Sequence, residues 1–155
     1  MPYWVQFIIQ ALFSYISTVA FGICINLPRR ALLWCGFAGM AGWQVYWMLF
    51  NFGSGRMLAN LLGALAVGIC GNIMARYKRM PVIIFNIPGL VPLVPGGTAY
   101  GAIRNLVLGN LNEASTQGVS VIMIAGAIAV GFMLAQILAD ITRKRAITPK
   151  WVSRH

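Results

Sequence analysis

Residues Val82 to Gly96 read Val82-Ile83-Ile84-Phe85-Asn86-Ile87-Pro88-Gly89-Leu90-Val91-Pro92-Leu93-Val94-Pro95-Gly96. The stretch is apolar enough for lipid, yet it holds three prolines and two glycines. Each proline removes a backbone donor and crowds the preceding turn, so a continuous helix is not expected through it. Lipid tolerates broken backbone only where protein or a water-filled cavity covers it. Interrupted spans of this kind are where secondary transporters build substrate sites.

The rest of the chain fits a membrane setting. Of 155 residues, 59% are hydrophobic and 9% charged, against roughly 25% charged in soluble domains. The sequence predicts an all-α integral membrane protein with a single transmembrane domain. Five crossings are expected, near residues 4–27, 31–50, 56–75, 81–112 and 118–139, with a basic tail over 140–155. The fourth is expected as two half-helices about an unwound centre. Its thirty-two residues are too many for one straight span at 1.5 Å rise.

The net charge of +10 would suggest nucleic acid in a soluble chain. Here the basic residues lie between and after the apolar segments, so no nucleic-acid partner is expected. Five crossings with an outer amino terminus put ten of the twelve Lys and Arg residues on the cytoplasmic side, as the positive-inside rule asks. Contact with anionic lipid follows. A re-entrant or twice-crossing 82–111 segment would turn the basic tail outward, against that rule. No cleavable signal is expected, because no basic n-region or small-residue cleavage site accompanies the first apolar stretch.

Little in the chain can carry enzyme chemistry. Glu113 and Asp140 are the only acids and His155 the only histidine. No paired carboxylates, triad or nucleotide-binding loop is present. Cys24, Cys35 and Cys70 match no metal spacing. No enzyme activity, cofactor or metal is expected. An acid in mid-membrane, the usual means of proton coupling, is also missing.

The candidate site therefore gathers at the broken span. Pro88, Gly89, Pro95, Gly96 and Gly97 are expected to break the helix and bare its backbone. Free amides at the amino end of the second half, left by Pro95-Gly96-Gly97, would favour an anion such as a carboxylate. Asn86, Thr98 and Tyr100 add polar groups. Arg104 follows Thr98 by six residues, about 9 Å along a helix, and is a candidate second partner for the anion. Small residues four apart, Ala38/Gly42, Ala64/Gly68, Gly97/Gly101 and Ala127/Gly131, are expected to let helices approach closely.

Pro88-Gly89-Leu90-Val91-Pro92-Leu93-Val94-Pro95-Gly96 with Ala99-Tyr100 resembles the Pro-Gly motif of the threonine/serine exporter (ThrE) family. Phe21-Gly22, Asn26-Leu27-Pro28-Arg29, Ala31-Leu32 and Trp34-Cys35 resemble the first loop of its small stand-alone subunit, the YjjB type. The resemblance implies an inner-membrane exporter subunit working with a larger YjjP-type partner that carries a cytoplasmic amino-terminal domain. It implies threonine and serine as substrates, or succinate-like dicarboxylates in some members, and export driven by the proton motive force. Two further readings start from the same residues: a homo-oligomeric channel or uniporter, and an assembly subunit that does not itself transport.

Overall fold

The computed structural model describes residues 2–146, with side chains described through residue 142. The distal tail, with Lys150, Arg154 and His155, lies outside the described residues, as do the side chains of Arg143, Lys144 and Arg145. Six α-helices make up the described chain: α1 (Tyr3–Cys24), α2 (Arg29–Asn51), α3 (Gly55–Lys78), α4 (Ile83–Leu90), α5 (Gly96–Val107) and α6 (Leu111–Ala146). A 3₁₀ turn, Val91–Leu93, extends α4.

Several boundaries move from the sequence expectation, for local reasons. α1 stops at Cys24 because Asn26 takes φ +56° and Leu27 N–H donates to Gly22 O at 2.9 Å. That is a left-handed C-terminal cap. α3 runs on to Lys78 and closes the same way, with Arg79 at φ +54° and Met80 N–H donating to Ala75 O at 3.0 Å. α5 ends at Val107 and is closed by Gly109, φ +81°, with Asn110 N–H donating to Asn105 O at 2.9 Å. Residues 111–112 thus belong to α6, which begins seven residues before the expected 118 and continues past 139. Its 36 residues make a rod of roughly 54 Å at 1.5 Å per residue.

Among the described residues, three helices are long and apolar enough to cross a membrane: α1, α3 and α6. The bent pair 83–93 and 96–107 makes a fourth if it counts as one span. α2 has the length, 23 residues, but falls short in hydropathy because Trp34, Trp43, Gln44, Tyr46 and Trp47 interrupt its aliphatic run. The protein is an all-α membrane protein.

α2 and α3 run antiparallel, α3 and α6 parallel, and α4 lies antiparallel to α3 on its other flank. Glycine makes the seams. A side chain at Gly131 would stand 2.5 Å from Leu61 O and 2.9 Å from the Ala64 Cβ. One at Gly42 would meet Val67 and, at 3.0 Å, Gly63 O. Ala38, Ala64 and Ala127 are buried beside them, so three of the four small-residue pairs sit at helix contacts. Gly97 is different: nothing lies within 4 Å of where its side chain would start. Polar groups tie α1 to α2. Ser14 Oγ donates to Gly39 O at 3.1 Å, Trp43 Nε1 to Gln10 Oε1 at 2.8 Å, and Gln44 Nε2 to Phe7 O at 2.8 Å.

The break sits one motif later than expected. Pro88 is buried inside α4, and the helix passes through it. Its missing N–H leaves the Ile84 carbonyl free, and Cys35 Sγ donates to that oxygen at 3.2 Å. A neighbouring helix thus repairs what the proline removes. Gly89 lets α4 close on Val67 of α3 and the Gly39 backbone of α2. Pro88-Gly89 is therefore a packing device and not the breaker. The chain unwinds at Val94 (ψ 128°) and Pro95 (ψ 52°), and the two halves meet at 56°.

Candidate functional site

Beside the break lies a cavity of about 350 Å³. Pro92, Leu93, Val94, Pro95 and Thr98 form one wall. α2 contributes Trp43, Tyr46 and Phe50, α3 contributes Arg56 and Asn60, and α6 closes it with Ile124. The aromatic wall is ordered by its own stacking, with ring centroids 5.1 Å apart for Trp43–Tyr46 and 5.9 Å for Tyr46–Phe50. Below it, Ala64, Val67, Leu93, Ile124 and Ile128 form an apolar plug, packed by Leu90 and Phe132.

Two features give the cavity a positive character. The first is the start of α5. Ala99 N–H donates to Pro95 O at 3.0 Å, so the Gly97 and Thr98 amides come before the first intrahelical donor. No side chain caps them. The second is Arg56, one turn before Asn60 on α3. Neither acid of the chain lines the cavity, since Glu113 and Asp140 both lie elsewhere on α6. Asn60 is 4% exposed, and its Nδ2 donates to Arg56 O at 2.7 Å. That leaves its Oδ1 as the acceptor at the site.

The nine residues proposed from sequence do not form one constellation. Pro95 and Thr98 line the cavity. Gly96 and Gly97 begin α5 beside it, with open space around both. Tyr100 is 70% exposed, and Arg104 is exposed farther along α5; neither lines the cavity. Asn86 borders a separate hollow of about 420 Å³ between α4 and α6, with Ile87, Leu90, Phe132, Met133 and Gln136. Its Oδ1 is buried against Gly71 with no hydrogen-bond partner. Pro88 and Gly89 are buried in helix contacts.

Arg56, Asn60 and Tyr46 were not legible as site residues. Arg56 reads as a loop charge after Gly53-Ser54-Gly55, and only the fold brings it to the break. A larger hollow, about 530 Å³, is ringed by Tyr3, Trp4, Phe7, Trp47, Met48, Asn51 and Phe52. It carries no charge and lies at exposed helix ends, where aromatic side chains suit a membrane interface. It offers nothing that would hold a polar solute.

A family model described as Threonine/Serine exporter, ThrE, matches residues 10–138. This chain belongs to the threonine/serine exporter family. The match covers α1 through most of α6, so the cavity, the break and the α3–α6 seam all fall within the ThrE region. The family is one of transporters. No solved structure matches the chain.

Proposed function

We propose that this ThrE chain is the membrane subunit of a secondary exporter of threonine and serine, and that the cavity at the break is its substrate site. The observation that carries this reading is a half-polar cavity, with one guanidinium and an uncapped helix start, inside an otherwise apolar bundle. The substrate carboxylate accepts from the Gly97 and Thr98 amides and faces Arg56. Its ammonium lies toward Asn60 Oδ1 and the faces of Trp43 and Tyr46, which attract cations.

The same inventory argues against a dicarboxylate. Among the described residues Arg56 is the only cationic side chain lining the cavity. A second carboxylate would find its donors already committed to the first, whereas an ammonium meets the Asn60 Oδ1 acceptor and aromatic faces.

The packing supports a hinge at Val94–Pro95. α4 and its 3₁₀ turn are held against α1, α2 and α3, whereas α5 packs against α6 and no other described element. Rocking of α5 about the break, over an α6 that stays seated on α3, would open the cavity to one side while the apolar plug closes the other, as alternating access requires. The bare face of α5 and the lack of a mid-membrane acid support a reading in which a larger partner subunit supplies the rest of the path and the proton coupling. On this reading α2 is also a crossing. The chain then spans the bacterial inner membrane five times, with its amino terminus outside and its basic tail in the cytoplasm.

Counterflow in vesicles holding the chain with its presumed partner tests the proposal. Labelled threonine is expected to accumulate against a threonine gradient, and labelled succinate is not. Accumulation of succinate alone would overturn the amino-acid assignment. Full activity of this chain without a partner would favour the uniporter. In cells, a membrane-impermeant maleimide should reach a Gly53→Cys variant from outside but not Cys24. The reverse pattern would overturn the orientation.

A further inference from the structure

We propose that the groove between α3 and α6, at the end where Arg76 lies, is a binding site for one anionic phospholipid. The headgroup phosphate sits on Arg76 and an acyl chain lies along Ile69, Ile73 and Leu138. The groove encloses about 260 Å³.

Arg76 is already aimed by the fold. Its Nη2 donates to Ala139 O at 2.6 Å and to Thr142 Oγ1 at 3.2 Å. That anchors the fork across the seam and leaves Nε and Nη1 to bind an anion. The guanidinium is exposed. Asn72, one turn earlier and 8% exposed, places a polar side chain at glycerol-ester depth. Below it the walls are aliphatic. Ile69 and Arg76 are seven residues apart, roughly 10 Å along α3, so a charged top stands over an apolar trough that takes the upper part of one acyl chain. Basic pockets between transmembrane helices bind anionic headgroups in this way.

The neighbouring charges agree. Lys78 stands 4.8 Å from the Trp34 ring centroid, which brings the start of α2, with Arg29 and Arg30, to the same end of the bundle. Arg79 follows at the helix cap. Asp140 lies on a different face of α6, where Gln136 Nε2 donates to it at 3.4 Å, and it does not line the groove. This end of the molecule therefore presents positive charge to a headgroup layer.

Native mass spectrometry of the full chain, released from neutral detergent with added phosphatidylglycerol or phosphatidylcholine, tests the site. Wild type is expected to retain phosphatidylglycerol in preference to phosphatidylcholine. Arg76→Gln should weaken that retention roughly tenfold, the scale of a lost charge-assisted hydrogen bond. Arg30→Gln, outside the groove, should leave it unchanged. Ile73→Trp fills the trough but spares the Arg76 bonds, so it separates lipid loss from a loosened seam and should also weaken retention. Inorganic phosphate should not displace the lipid. Retention unaffected by Arg76→Gln or by Ile73→Trp would overturn the proposal. Displacement by inorganic phosphate would overturn it in favour of a soluble-anion site.

Discussion

Arg56→Gln is expected to lower threonine export ten- to a hundredfold while leaving the amount of folded protein unchanged. Among the described residues Arg56 is the only cationic side chain lining the cavity at the break, and it is exposed. Removing it therefore costs substrate contacts and not packing. A charge-assisted hydrogen bond contributes about 1.5–3 kcal/mol, and each 1.4 kcal/mol is tenfold in affinity. Arg56→Lys should retain part of the activity, since a point charge replaces a planar fork. Arg104→Gln is the matched control, because Arg104 is exposed on α5 outside the cavity; less than a twofold change is expected. Initial rates of labelled threonine efflux, normalised to protein level, read all three. Equal losses at Arg56 and Arg104 would place the anion elsewhere.

The second large effect concerns assembly. Gly131→Leu should cost ~3 kcal/mol or more, the upper end for overpacked sites. Its Cβ would start 2.5 Å from a backbone oxygen of α3 and 3.1 Å from the Leu65 backbone nitrogen, and neither can swing aside as a side chain could. At the scaling for chains of this size, the melting temperature falls by roughly 6–12 °C. Gly126→Leu, on the same helix with nothing within 4 Å, should change stability by less than about 0.5 kcal/mol. Fluorescence-detected size-exclusion after heating distinguishes them. Equal melting temperatures for the two variants would mean that the α3–α6 seam is not held by close backbone approach.

Much of the architecture was readable because bilayers leave few options. Runs of about 20 apolar residues, punctuated by Pro28, the Gly53-Ser54-Gly55 turn and the basic run Arg76–Arg79, locate α1 to α3 within a few residues. Small-residue spacing located the seams at Gly42, Gly68 and Gly131. The position of the break was harder. Pro88-Gly89 and Pro95-Gly96-Gly97 look alike as local punctuation. They differ only in tertiary surroundings: Cys35 and the close α2–α3 wall repair the first, while nothing covers the second. The length of α6 was hidden as well. Asn112 to Gln117 is polar enough to read as a loop, yet it is helical, and Gly101 closes against Gln117 to dock α5 there.

The site was half legible for the same reason. The uncapped start of α5 follows from Pro95-Gly96-Gly97 alone, and Thr98 lines the cavity beside it. Its counter-charge was assigned along the chain to Arg104, six residues on. The cation that lines the cavity is Arg56, brought in from another helix by the α2–α3 turn, and the proposed function gives it that role. Asn86 drew attention as a polar group in an apolar run, and the fold places it in the α4–α6 hollow instead.

The central claim is that a carboxylate is held at the start of α5. Protection of a Thr98→Cys variant from thiol alkylation, read by peptide mass in transporting vesicles, tests it most directly. Threonine should slow labelling at position 98 and leave labelling at Cys24 unchanged, while threoninamide, which lacks the carboxylate, should protect neither. Labelling at 98 that is indifferent to saturating threonine, in vesicles that still export it, would contradict the account.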